Sequence, residues 1–491
     1  MDQHEIIQLL GAWLERPGPL YERLTAAFEH SLRAGELPVT TRLPAERWLA
    51  ERLGVSRSTV VAAYGLLQER GWVTSRRGSG TEVATLTPQR SLRLRGQQLH
   101  PLAHGPVIDS YLNDDPLDVI ELSTGAPAWP TGFNPAICAI QPEQVTPLLA
   151  EYGYAPHGLP ELRQAIAEHY TRTGLRSQPE QILVTTGAQQ AISLLATLML
   201  QRGDTLILEN PCFFGAIDAF RAAGARLAPV PIGAHGLDFR RLGEQVAAGT
   251  AQILYLIPTF HNPTGNTLTD MERREVIRLA QAAHLPIIED LTLSFNVLDR
   301  EPPPPLAAYA PEGDVISIGS LSKIFWAGLR VGWIRATATM VERLARLKSV
   351  SDLGSSLVSQ MLGARLIPYL PEVQRLRRDE LGARRALVMD VLRKKAPGWR
   401  WQAPPGGLFI WAQLPAGDAR DLAQEALRAG VKVTPGTTLS VDGTHNDWLR
   451  LPFLITPDRL QIGLERLLGA WERYERRLAA GAGRTPNSVE P

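Results

Sequence analysis

Lys323 stands in a chain that carries positive charge almost entirely as arginine: of 51 basic residues only five are lysine, at 323, 348, 394, 395 and 432. A guanidinium keeps its proton near neutral pH and cannot become an amine nucleophile, whereas an ε-amino group can. Lys323 lies in Ser320-Leu-Ser322-Lys323-Ile-Phe-Trp-Ala-Gly-Leu-Arg330. Two hydroxyls just before the amine and a guanidinium after it suit a phosphate held beside a Schiff-base lysine. That is the chemistry of pyridoxal 5′-phosphate (PLP).

A PLP site needs a tether, an electron sink, a ring clamp, a phosphate grip and a substrate grip. Lys323 is the tether, reactive as the deprotonated amine. Asp290 ends Leu285-Pro-Ile-Ile-Glu289-Asp290, where a buried strand would emerge at its carboxyl edge, the ligand edge of parallel sheets. Its carboxylate would keep the pyridine nitrogen protonated. Glu289 competes for that role but points to the other face of an alternating strand. Asn262, in His261-Asn-Pro-Thr-Gly265, would donate to the ring phenolate oxygen, and Phe213 would stack on the ring face. Thr186-Gly187-Ala188-Gln189 follows the strand at Ile182 and opens a helix whose free N–H groups favour a dianion. Ser320, Ser322 and Arg330 complete that cradle. Arg450, in Trp448-Leu-Arg-Leu-Pro, would hold a carboxylate in bidentate fashion, with Gly125 allowing backbone to approach from the other side. Tyr152 or Tyr154 would reach a phosphate, from a partner subunit. No metal is expected.

Taken singly, these signals have plainer readings: Asn-Pro-Thr-Gly as a turn, Phe213 as core, Arg450 as a solvated charge. Their conjunction and order are more specific. Gly187, Phe213, Asn262, Asp290, Ser320-x-x-Lys323, Arg330 and Arg450 resemble, in that order, the fold-type I aminotransferases of the aspartate aminotransferase class, over residues 117–475. The resemblance implies PLP as cofactor. One departure stands out. The family places a tyrosine two or three residues after the aspartate, its hydroxyl on the ring phenolate oxygen; here Leu291, Thr292 and Leu293 follow Asp290. Thr292 is too short for that contact, which bears on catalytic turnover more than on cofactor binding.

These residues require a scaffold. Beyond residue 117, short continuous apolar runs such as Gln181-Ile-Leu-Val-Thr-Thr, Thr205-Leu-Ile-Leu-Glu and Ile253-Leu-Tyr-Leu-Ile alternate with helical stretches. That pattern predicts an α/β domain with a mostly parallel large-domain sheet covered on both faces, and a smaller C-terminal α+β subdomain. At 491 residues the chain is multidomain. We expect residues 1–83 to form a DNA-binding domain, 84–116 a linker, 117–475 the PLP domain and 476–491 a disordered tail.

Residues 3–14 fit a short amphipathic helix with Ile6, Ile7, Leu10 and Leu14 on one face. A helix over 20–34 repeats Leu20, Leu24, Phe28 and Leu32 at four-residue steps. Helices over 45–53 and 57–70 flank a turn at Gly54, with Ser56 as N-cap, and Trp72 to Val83 reads as a two-stranded wing. Arg57, Ser58 and Thr59 then open a helix where base edges or phosphates would be met. Arg76 and Arg77 in the wing suit phosphate or minor groove. The charge argument is weak alone: residues 38–83 hold seven Arg against four Glu. A helix-turn-helix can also serve only for dimerisation. Residues 20–83 resemble the winged helix of GntR-type bacterial repressors, which implies double-stranded DNA as partner, met by Arg42, Arg47, Arg57, Ser58, Thr59 and Arg77. Ala45 stands where that family often has serine.

Together the two ends resemble MocR-type transcriptional regulators. That resemblance implies a head-to-tail homodimer whose PLP domain senses an amino acid, an amine or PLP and modulates promoter binding. An active aminotransferase with an accessory winged helix is the alternative. No apolar run is long enough to span a bilayer, and the first residues form no signal peptide. Cys138 and Cys212 offer no disulfide framework. A cytoplasmic, nucleoid-associated protein is expected, with no membrane partner.

Overall fold

The structure, a computed structural model, describes residues 6–7, 9–10, 13, 19–34, 37, 41–69, 72–76, 80–83, 93–94, 97–98, 119–150, 152–233, 236–311 and 313–482. It divides into two compact units, Met1–Asp118 with Leu427–Gly430, and Val119–Ala426 with Val431–Pro491.

In the first unit, α1 (Leu20–Ala34), α2 (Glu46–Leu53) and α3 (Arg57–Glu69) precede an antiparallel pair, β1 (Val73–Arg76) and β2 (Gly80–Val83). Leu24, Phe28, Leu49, Val60, Ala63, Tyr64, Leu67, Val73 and Val83 are buried in one core, joined by Ile6, Leu10 and Trp13. Leu20 is 42% exposed instead of joining it, because it is the first residue of α1 and lies a turn ahead of the packed face. Leu14 and Arg77 fall outside the described residues. The turn between α2 and α3 needs a left-handed residue, and Gly54 supplies it at φ 65°. Ser56 caps α3, its Oγ accepting from Thr59 N at 3.2 Å. Leu43 N donates to Thr81 O and Val83 N to Thr41 O, both at 2.8 Å, so the chain entering α2 lies along the wing. Within the segment read as linker, Arg93–Leu94 pairs antiparallel with Gln97–Gln98.

The second unit opens with β3 (Ile120–Leu122). There follow α4 (Pro160–Arg172), β4 (Ile182–Thr185), α5 (Ala188–Met199), β5 (Thr205–Asn210), α6 (Phe214–Ala222), β6 (Arg226–Gly233), β7 (Gly236–Leu237), β8 (Ala251–Leu256), α7 (Asp270–Ala282), β9 (Ile287–Asp290), β10 (Val315–Ser320) and β11 (Gly332–Arg335). The large sheet runs β4-β11-β10-β9-β8-β5-β6-β7. Its strands are parallel except β11 and the short β7. Alternate residues serve two cores. Leu206, Leu208, Ile253, Tyr255, Ile288 and Ile316 face one, while Ile207, Leu254, Leu256, Ile287 and Val315 face the other. Both faces are therefore apolar, as a doubly covered sheet demands.

The chain continues through α8 (Ala338–Asp352), α9 (Leu370–Lys395), β12 (Arg400–Trp401), β13 (Phe409–Gln413), α10 (Ala419–Arg428), β14 (Val431–Pro435), β15 (Trp448–Pro452) and α11 (Pro457–Ala482). The small sheet runs β12-β13-β15-β14-β3. Two expectations change here. The small subdomain is not purely C-terminal, because β3 forms its edge, parallel to β14. And α11 runs to Ala482, past the boundary expected at 475. Arg477 there pairs with Glu425 at 2.6 Å, so the helix keeps a tertiary partner beyond that boundary. Residues 483–491 lie outside those described.

Candidate cofactor and effector site

Register alone assembles the phosphate cradle. Thr185 on β4 pairs with Gly332 on β11, and Gly332 pairs with Ser320 on β10. Because β11 is antiparallel, its start meets the carboxyl ends of its two neighbours. Gly187, Arg330 and Ser320 therefore gather on one edge. Gly187 precedes α5 at φ 104°, and Arg330 itself is left-handed at φ 54°, a costly conformation for a non-glycine residue. Arg330 Nη2 donates to Thr186 O at 2.7 Å. A Cβ on Gly187 would lie 3.1 Å from that guanidinium, and one on Gly332 only 2.6 Å from the Gly187 carbonyl carbon. Ser320 Oγ donates to Val331 O at 3.1 Å and accepts from Ser322 N at 3.1 Å. Ser322 Oγ is buried with no hydrogen-bond partner among the described residues. A buried hydroxyl in that state costs about 1–3 kcal/mol unless a ligand engages it. An unengaged hydroxyl, a guanidinium and a helix start on one edge fit the phosphate of PLP.

Asp290 closes β9, buried, on the same face as Ile288 and Tyr255. Tyr255 Oη donates to its Oδ2 at 2.8 Å and Thr292 N to its Oδ1 at 2.8 Å. Burial pushes this carboxyl up; the Thr292 and Tyr255 hydrogen bonds and the charge of Lys323 oppose that shift. A carboxylate so placed suits a pyridinium partner. Glu289 points the other way, accepting from Ser317 Oγ at 2.6 Å and Leu306 N at 2.7 Å. It holds the fold. Lys323 Nζ donates to Gly125 O at 2.8 Å. Its amine is lowered to about 8, chiefly by burial, then by the charges of Arg450 and Arg330, with Asp290 acting against them.

Arg450 is 1% exposed on β15, between Trp411 of β13 and Thr434 of β14. Its Nη2 donates to Ser123 O at 2.5 Å and its Nη1 to Asn262 Oδ1 at 3.1 Å. The guanidinium lies over the Phe409 ring, 4.3 Å from its centroid. The same ring explains Gly125, where a Cβ would meet Phe409 Cζ at 2.6 Å. Arg450 is thus no solvated charge. One strap, Ser123–Gly125, touches both Arg450 and Lys323.

Other candidates sit differently. The Gln189 side chain turns away to donate to Gly215 O at 2.7 Å, so only its backbone and that of Ala188 remain for an anion. Phe213 is the residue before α6, half-buried, with its ring 4.9 Å from that of Phe214. Tyr152 and Tyr154 are 97% and 68% exposed. Tyr255 and Ser123 were not singled out in the sequence. Tyr255 had a signal, a lone hydroxyl between the aliphatic residues Leu254 and Leu256; Ser123 had none.

In the winged helix, Ser56 Oγ lies 2.8 Å from both Ser58 Oγ and Thr59 Oγ1, and Arg57 pairs with Glu46 at 2.9 Å. That exposed pair is worth about 0–1 kcal/mol, so a phosphate could displace Glu46 cheaply. Arg47 is exposed, and Arg42 lies against Gly80 of the wing, where a Cβ would meet its Nε at 3.0 Å. Of Arg76 only the backbone, at the end of β1, is described.

Fold and site together define a fold-type I PLP protein joined to a winged helix. Residues 117–467 match the family "Aminotransferase class I and II", and residues 20–83 match "Bacterial regulatory proteins, gntR family". The uncharacterized HTH-type transcriptional regulator YisV of Bacillus subtilis is 31% identical over 456 residues, 89% of this chain and 92% of that one. The 2-aminoadipate transaminase of Thermus thermophilus is 34% identical over 323 residues, 64% of this chain and 79% of its own. Among solved structures, the α-aminoadipate aminotransferase LysN of T. thermophilus, complexed with N-(5′-phosphopyridoxyl)-L-leucine, superposes with a TM-score of 0.67 at 30% identity. The match covers 74% of this chain and 94% of LysN. The chain belongs to the MocR-type HTH transcriptional regulators, a GntR winged helix fused to a class I and II aminotransferase domain. It is a PLP-dependent, DNA-binding regulator. No helix among the described residues is long and apolar enough to cross a membrane.

Proposed function

We propose that this regulator senses an amino acid whose carboxylate is held by Arg450 and whose amine takes the place of Lys323, and that occupancy changes promoter binding. The observation that carries this reading is the buried Arg450, joined to Lys323 through the Ser123–Gly125 strap. PLP, when bound, supplies an aldehyde that condenses with primary amines. The chain's own residues do the rest. Lys323, lowered to about 8, offers a neutral amine near physiological pH. Asp290, steadied by Tyr255 and Thr292, would serve the ring nitrogen as its acidic partner. Gly187, Ser320, Ser322 and Arg330 would hold the phosphate. Phe213 and Asn262 would clamp the ring, and Thr292 stands where enzymes of this class carry a tyrosine. We place the protein in the cytoplasm as a head-to-tail homodimer, with Tyr154 reaching the partner subunit's site and Arg42, Arg47, Ser56, Arg57, Ser58, Thr59, Arg76 and Arg77 at the DNA.

A specific observation supports a second reading. Tyr255 gives the Asp290 carboxylate a phenol donor, which supports the electron-sink part of a transaminase site although no tyrosine follows Asp290 to meet the ring phenolate oxygen. Steady-state turnover at about 1–10³ per second would favour the enzyme; at most one turnover per site would favour the sensor.

The test follows the visible absorbance of the Lys323-bound cofactor and the affinity for the protein's own upstream DNA while titrating standard L-amino acids. Each is compared with the primary amine that lacks its carboxylate. We expect one amino acid to change both signals. Arg450→Met should weaken that amino acid about 10–100-fold, the worth of a charged hydrogen bond, and leave the amine little changed. If DNA affinity responds while absorbance stays constant, the reading is wrong.

A further inference from the structure

Three side chains on one face of α9 form a buried bridge that reaches both sides of the site. Arg377 Nε donates to Ile324 O at 2.9 Å and its Nη2 to Phe325 O at 2.9 Å, the two carbonyls that follow Lys323. The same Nη2 also donates to Ala128 O, in the strap that runs on from Gly125. Seven residues along the helix, Arg384 Nη1 donates to Leu454 O at 2.5 Å, just beyond the strand that carries Arg450. Glu380 joins the two. Its Oε2 accepts from Arg377 Nη1 and its Oε1 from Arg384 Nη2, each at 2.7 Å, and Thr131 Oγ1 adds a third donor at 2.8 Å. The Arg377, Glu380 and Arg384 side chains are 2%, 12% and 10% exposed. Burial lowers the Arg377 guanidinium, and the Glu380 carboxylate acts against that shift.

A buried carboxylate between two guanidinia is poor at adding stability and good at fixing geometry, because neither cation tolerates losing it. Four further hydrogen bonds of the two guanidinia end on main-chain carbonyls of segments that bear, or adjoin, a site residue. The α9 side chains thus fix the distance between the segment after Lys323 and the end of the Arg450 strand.

We propose that Glu380 is a positioning residue for effector recognition: through Arg377 and Arg384 it sets the spacing between Lys323 and Arg450, and with it the preference for amines that carry an α-carboxylate. This rests on the reading of Arg450 as the carboxylate grip. With the bridge intact, the place that the effector's amine takes from Lys323 lies at the spacing of an α-amino acid from Arg450. With it broken, an amine can still take that place and Arg450 can still hold a carboxylate, but the two are no longer held in register.

The experiment uses the full-length PLP-loaded protein and the same matched probes, the standard L-amino acids and the amines lacking their carboxylates. For each pair the ratio of dissociation constants is read from cofactor absorbance. Glu380→Gln should lower the ratio about three- to tenfold, the size of couplings within one hydrogen-bond network. Arg384→Lys should do the same without removing the carboxylate, since one ammonium cannot match two acceptors set for a guanidinium fork. It carries the test if Glu380→Gln fails to fold. Lower thermal stability with an unchanged ratio would make the bridge merely structural and overturn the proposal. A wild-type ratio near one would instead overturn the carboxylate grip itself, and this inference with it.

Discussion

An ordinary lysine amine is neutral in fewer than about one molecule in a thousand at pH 7, and so is a poor nucleophile. Lys323 sits near 8, so about a tenth of its amines are neutral at that pH. The causes are burial first, then two guanidinia. The sign for stability follows. Between about pH 8 and 10.5 the unfolded chain holds a proton that the folded one has released, so the cofactor-free protein gains stability as pH rises through that window. The kinetic consequence is easier to measure. Capture of added PLP by the cofactor-free protein, followed by rapid-mixing absorbance, should accelerate with pH to a midpoint near 8. Arg450→Met removes a neighbouring charge and should move that midpoint upward. A wild-type midpoint near 10 would mean that neither burial nor the guanidinia act on the amine. Lys323 and Asp290 were legible in the sequence because their surroundings mark them: a rare lysine after two serines and ahead of an arginine, and, of the two carboxylates ending an apolar run, the one that alternation turns to the opposite face from Glu289. The donor that steadies Asp290 was not, because the partner of Tyr255 is set by the pairing of β8 with β9, and pairing is not written in either strand.

The phosphate cradle owes its geometry to three adjacent strand ends and to glycine at their junction. Gly187→Ala would place an L-residue at φ 104° and ψ 171°, costing about 1–3 kcal/mol, and push its Cβ toward Arg330. Gly132, at φ 79° with nothing within 4 Å of its Cβ position, is the control. Both substitutions should lower Tm by a few degrees, about what that strain yields. Only Gly187→Ala should also weaken PLP, by about tenfold or more, as read by equilibrium dialysis. Equal PLP affinity in the two variants would show that the strain, not the displaced guanidinium, was all that mattered. At this scale the strands were legible and some element ends were not. The central strands of the large sheet are buried on both faces, so their sequences are largely apolar runs that stop at the edge. By contrast β3 is three residues long and becomes a strand only because β14 lies beside it. The end of α11 depends on Arg477 finding Glu425, a contact 52 residues away in sequence.

For the molecule as a whole, sensing requires only that one site's occupancy change the affinity of the other, and such coupling is reciprocal. The DNA-binding unit adds a constraint, since the grip proposed for it rests on arginines and would depend steeply on salt. Comparisons therefore belong at one ionic strength. If an amino acid changes affinity for the upstream DNA by some factor, typically about 5–150-fold, that DNA must change the affinity for the amino acid by the same factor. Calorimetric titration of the amino acid into PLP-loaded protein, with and without saturating DNA, measures one arm, and DNA binding with and without the amino acid measures the other. Lys323→Ala should abolish the covalent absorbance and bring both factors to one while leaving DNA affinity within a few-fold of the unliganded wild type. The two arms must agree whenever both titrations run between the same species of protein, PLP occupancy included. Disagreement beyond experimental error would mean that PLP exchanges during one of them, and repeating both arms at a series of PLP concentrations would then show the factor following the cofactor.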